Sequence, residues 1–88
     1  MIIEYRDSFK KDLLKIKETK LFTKIIFLIE QIKKTRSIED ISNIKKLKGY
    51  KNYYRIRLGD YRIGIIVTNK HVIMIRILHR KEIYRYFP

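Results

Sequence analysis

The chain predicts an α+β fold: a short N-terminal strand and a helical hairpin pack on one face of an antiparallel β-sheet, and the opposite face stays open and basic. Three observations carry this. Apolar residues recur at helical spacing as far as Lys34, the period changes to two from Tyr50 onward, and a Gly59-Asp60 pair sits where two alternating runs meet. With 88 residues, residues 1–88 are expected to form one domain, because so short a chain buries only about 60–65% of its unfolded surface and cannot divide its core.

Ile2, Ile3 and Tyr5 start a strand, and Asp7 or Ser8 is placed to cap the helix that follows. Phe9, Leu13 and Ile16 recur along that helix through Lys17. From about Lys20 to Lys34 a second helix aligns Leu21, Ile25, Leu28, Ile29 and Ile32 in one stripe, widened by Phe22 and Ile26. The two join near Glu18-Thr19. Ser37 to Asp40 has capping-box spacing with Asp in place of Glu, and the lysine-rich stretch to Gly49 reads as a connector with one helical turn.

In the alternating region Tyr54, Ile56 and Leu58 face the helices, whereas Tyr53, Arg55 and Arg57 face away. A two-residue Gly59-Asp60 turn sets Leu58 opposite Tyr61, Arg57 opposite Arg62 and Arg55 opposite Gly64. Tyr61, Ile63, Ile65 and Val67 then continue the apolar face. For the second hairpin a three-residue loop, Asn69-Lys70-His71, is expected. It places Ile73, Ile75 and Ile77 in the core and leaves Arg76 and Leu78 on the arginine face, whereas a two-residue loop would drive the Arg76 charge into the core. The remainder, HRKEIYRYFP, is too short for a second layer and is expected to hang at the sheet edge, with Arg80 continuing the alternation.

Composition narrows the function. Cysteine is absent and the two histidines are isolated, so neither disulfides, a metal cluster nor a cofactor is expected. Thr23, Lys24, Glu30 and Gln31 interrupt the apolar run from Leu21 to Ile32, which is too short and too polar to span a bilayer. Glu4 in MIIEYRD is unlike a secretion signal. A cytoplasmic location without a membrane partner is expected. A net charge of +13 points first to nucleic acid and second to an anionic membrane or an acidic protein. AT-rich coding alone would enrich lysine, so the arginines carry the specific signal. Arg55, Arg57, Arg62, Arg76, Arg80 and Arg85 crowd the C-terminal third, with only Arg6 and Arg36 elsewhere.

Like charges placed directly opposite destabilise a sheet by roughly 0.2–1 kcal/mol. A face collecting Arg55, Arg57, Arg62, Arg76 and Arg80 therefore suits a polyanion, and the planar guanidinium matches phosphate oxygens. RNA is cleavable through its own 2′-hydroxyl, which asks a protein for in-line positioning, stabilisation of the charged transition state and two proton transfers. Arginine supplies the electrostatics and not the protons. At the rim, His79 is the candidate base or acid and Tyr84, whose phenolate a ring of arginines would favour, is a second candidate, with Glu82 and Lys81 as substitutes. A carbonyl-bonded histidine and a packing tyrosine are the structural alternatives. Lys81 and Arg85 add charge for RNA, and Tyr53 faces the arginines as a stacking platform, a contact worth about 1–3 kcal/mol per base.

Three blocks then carry a resemblance: LKG at Leu47 to Gly49, YRIRLGDYRIGI at Tyr54 to Ile65, and HRKEIY at His79 to Tyr84. Over nearly its whole length the chain resembles the RelE/ParE superfamily of toxins from type II toxin–antitoxin modules. Similarity to the RelE branch implies a ribosome-dependent endoribonuclease, an mRNA interferase that cuts message in the aminoacyl site. It also implies a cognate antitoxin that blocks the toxin and, in complex with it, binds operator DNA. By position, the resemblance places Arg55 and Arg57 among the basic residues of the reaction centre, Arg62 on the phosphate, and Arg80 and Tyr84 on the leaving side. RelE itself has lysines at the first two positions, one proposed as general base; arginine does not fill that role readily, and His79 is the candidate replacement. The ParE branch shares much of YRIR, GDYR and HR yet poisons DNA gyrase without cutting RNA. That reading, and a passive RNA-binding module, are the alternatives.

Overall fold

The stripe of Leu21, Ile25, Leu28 and Ile32 is buried along one side of a helix spanning Thr19–Lys34 (α2), with Phe22 and Ile29 packed beside it. Ile26 does not widen the stripe; it is 63% exposed. The computed structural model describes residues 1–88. Around α2 it places β1 (Ile2–Tyr5), α1 (Asp7–Lys15), a 3-10 turn (Ile38–Asp40), β2 (Ile44–Lys46), β3 (Tyr53–Leu58), β4 (Tyr61–Thr68), β5 (His71–His79) and α3 (Ile83–Tyr86). The expected α+β architecture is present.

The five strands form one sheet in the order β1-β5-β4-β3-β2. The N-terminal strand, whose neighbour alternation could not specify, lies parallel to β5, so the sheet is mixed. The other pairings are antiparallel. Neither Asp7 nor Ser8 caps α1 through its side chain; the Ser8 hydroxyl instead donates to the Ile75 carbonyl at 2.6 Å. The single turn in the connector is the 3-10 turn, and no side-chain cap bond starts it. Beyond it, Ile44 to Lys46 add an edge strand on β3.

The first hairpin has the expected register, with Arg57 opposite Arg62 and Arg55 opposite Gly64. Gly59 supplies the positive φ of 62° that its turn demands. The second hairpin differs from expectation. Its loop has two residues, Asn69 and Lys70, since Thr68 pairs with His71, and Asn69 tolerates the left-handed backbone there at φ 51°. Val72 and Met74, not Ile73 and Ile75, therefore enter the core. Arg76 escapes the core all the same, because the register shifts between Gly64/Ile65 and leaves Ile75 without a partner. One extra residue in β5 flips the alternation, the usual effect of a β-bulge.

The segment after β5 is also corrected. It forms α3 and covers part of the arginine face, with Ile83 and Phe87 buried outside the main core between helices and sheet.

Candidate functional site

β3 and β4 are the middle of the basic face. Alternation delivers Arg55 and Arg57 from β3 and Arg62 from β4 to the side away from α1 and α2, and the two-residue turn brings Arg57 and Arg62 level. The end of β5 joins them: the Arg80 N–H donates to the Asp60 carbonyl at 2.7 Å, tying the β5 exit to the β3–β4 turn. α3 follows within three residues and carries Tyr84, 59% exposed.

Arg62 is where these groups meet. Burial holds its guanidinium below the usual arginine range, the charges of Arg55 and Arg57 push the same way, Tyr84 opposes them, and Arg80 adds to the repulsion. Its Nη1 donates to the Gly59 and Tyr61 carbonyls at 2.8 and 2.9 Å, which fixes the side chain along its own hairpin. Arg57 donates to Asn43 Oδ1 at 3.2 Å from the exposed edge. The Nε of Arg55 is buried with no hydrogen-bond partner. Four like charges crowd this face, and guanidinium groups of this kind bind an acceptor of opposite sign favourably.

Other sequence candidates lie elsewhere. His79 pairs with Tyr61 and so shares the helix-covered side of the sheet, its ring edge-on to the Tyr61 ring at 5.7 Å. Its Nδ1 accepts the Lys81 N–H at 3.2 Å. Strand parity sets it apart from the arginines. Arg76 is also engaged: Nε and Nη2 grip Asp12 at 2.8 and 2.9 Å, and its guanidinium lies 5.3 Å from the Tyr86 ring centroid. Asp12 is the residue that sequence reasoning missed. It is buried, and it also accepts the Ile77 N–H at 3.0 Å, on the edge of β5 past the end of β1. Its signal was its place between Phe9 and Ile16 on the buried stripe of α1. Arg85 faces Glu82 at 3.6 Å, Lys81 is exposed, and Tyr53 is packed between Tyr50 and Phe87 with ring centroids 5.7 and 5.6 Å away.

The sequence matches the family model described as ParE toxin of type II toxin-antitoxin system, parDE, over residues 3–84. It is 45% identical to Toxin RelE3 of Methanocaldococcus jannaschii over 89 aligned residues, the whole of both chains. The fold superposes on the RelB-RelE antitoxin-toxin complex from Methanococcus jannaschii with a TM-score of 0.83 at 44% identity, covering 97% of this chain and 99% of that one. It is also similar to the archaeal RelE-RelB complex from Pyrococcus horikoshii, with a TM-score of 0.74 at 19% identity and 93% and 97% coverage, a likeness of fold alone. A match over nearly the full length, with relatives named RelE at the higher identities, places the chain on the RelE side of the superfamily: it is a RelE-family toxin of a type II toxin–antitoxin system.

Proposed function

We propose that the chain is a ribosome-dependent endoribonuclease that cleaves messenger RNA in the aminoacyl site. The observation that carries this is the arginine face itself: Arg57 stands level with Arg62, Arg55 lies two residues along the same face, and the Arg80 N–H ties the β5 exit to their turn, with Tyr84 within electrostatic range of Arg62. The scissile phosphate sits among the three strand arginines, Arg55, Arg57 and Arg62. The 2′-oxygen attacks the adjacent phosphorus and the bond to the 5′-oxygen breaks, leaving a 2′,3′-cyclic phosphate. The positive field favours the attacking alkoxide, so its proton can leave to water, and the guanidinium groups stabilise the charge building on phosphorus. Tyr84 returns a proton to the leaving 5′-oxygen, with Arg80 beside it. His79 takes no part, given its side of the sheet.

The natural partner is a cognate antitoxin with an acidic or amphipathic segment, since a chain of net charge +13 otherwise binds nucleic acid indiscriminately. Operator DNA is met through that complex, and the cytoplasm is the place of action.

The test is primer extension on a message held by programmed ribosomes exposed to the isolated chain. Breaks at the aminoacyl-site codon are expected, with DNA gyrase supercoiling untouched. Intact message together with failed supercoiling would transfer the chain to the ParE-like activity.

A further inference from the structure

The last helix has four residues, too few to be stable alone, yet it is held at both ends. Ile83 is 0% and Phe87 2% exposed, and neither belongs to the core between helices and sheet. The Phe87 N–H closes the turn on the Ile83 carbonyl at 2.8 Å. The Phe87 ring lies on Gly64, so closely that a Cβ there would come within 2.5 Å of the ring carbons. Gly64 is not among the glycines with positive φ. Its backbone therefore makes no demand for glycine; what the missing side chain provides is room for the ring. Gly64 also sits directly opposite Arg55, two residues from Arg62 on the same face of β4. Residues 83 and 87 are a helical turn apart and share the buried face, which leaves Tyr84 59% exposed and within electrostatic range of Arg62.

We propose that Phe87, seated on Gly64, is a positioning residue that locks this single turn and so holds the Tyr84 phenol beside Arg62 at the leaving oxygen. The role given to Tyr84 rests on the endoribonuclease reading; the placement of its ring does not. Arg62 is fixed by its own hairpin. Loss of the Phe87 anchor frees Tyr84 while the phosphate site stays in place.

The test compares the parent with Gly64→Ala, Phe87→Ala and Phe87→Leu, each with and without Tyr84→Phe. Single-turnover cleavage and ribosome affinity are measured, together with the 19F spectrum of protein labelled with 3-fluorotyrosine, in which the Tyr84→Phe variant identifies the Tyr84 line. Gly64→Ala and Phe87→Ala are expected to slow cleavage by about 10²-fold, the loss associated with misplacing a reacting group by about 1 Å, with ribosome affinity unchanged. Phe87→Leu recovers part of the rate. Once Tyr84 is Phe, neither variant slows cleavage further, because both act through the same hydroxyl. The Tyr84 line moves to its unstructured position in Phe87→Ala and stops responding to Arg62→Ala. Equal further loss in the Tyr84→Phe background, parental cleavage by Phe87→Ala, or an unmoved 19F line would overturn the proposal. A parent that cuts no message would sink the endoribonuclease reading alone, and the 19F spectra would still decide whether Phe87 places Tyr84.

Discussion

Tyr84→Phe is expected to slow the cleavage step by about 10²–10⁴, the range for loss of a general acid, and to leave the melting temperature unchanged. The ring is 59% exposed and the substitution removes one oxygen, so packing is preserved. Its effect falls on the leaving group, because the arginines cannot supply the proton in its place. Single-turnover cleavage on ribosomes, read beside a melting curve, checks both halves. A rate within a few-fold of the parent would make Tyr84 a surface aromatic and leave the 5′-oxygen to be protonated by water.

Arg76→Met is expected to have the opposite profile, a loss of about 3–5 kcal/mol in stability, the cost of breaking a buried ion pair by removing one partner. The Asp12 side chain is 3% exposed, and the variant leaves its carboxylate only the Ile77 N–H at 3.0 Å. Asp12→Ala should cost less, because the Arg76 side chain it strands is 23% exposed and water reaches it. Domains of this size have about 5–15 kcal/mol in total, so the difference is visible in a urea midpoint. Replacing both partners, Asp12→Leu with Arg76→Met, should recover much of the loss. Parental stability of Arg76→Met would show that the pair does not hold α1 to β5.

Much of the fold could be read from periodicity. The arginine face was legible because Gly59-Asp60 fixes a two-residue turn, and that turn fixes which residues of β3 and β4 stand level. The second hairpin was not. Its pattern permits either a three-residue loop or a two-residue loop with a bulge, and the choice depends on α1, whose Ser8 and Asp12 take up backbone groups of Ile75 and Ile77. Tertiary hydrogen bonds decided a register that sequence parity alone could not. His79 shows the reverse: the alternation that put Arg76 and Leu78 on one side already assigned His79 to the other. Arg76 was legible as a charge on the arginine face but not as a partner of Asp12, since one acid on a helix stripe says nothing about where a distant guanidinium ends. The second small cluster left a trace in the i, i+4 spacing of Ile83 and Phe87, but its socket is the absence of a side chain at Gly64.

The sheet is apolar toward the helices and basic on the other face, the one proposed to act on RNA, and Arg62→Ala tests that division most directly. The substitution removes two hydrogen bonds to carbonyls around the β3–β4 turn and relieves the repulsion from Arg55, Arg57 and Arg80. Stability should hold or rise by a few tenths of a kcal/mol. Cleavage of ribosome-bound message should nonetheless fall by about 10²–10³, the usual cost of losing one transition-state donor. The measurement is a melting curve and a single-turnover cleavage trace on the same preparation. A folded protein with that rate loss is the predicted result; an unfolded one, or a folded one cutting at the parental rate, would contradict the assignment of the arginine face to RNA.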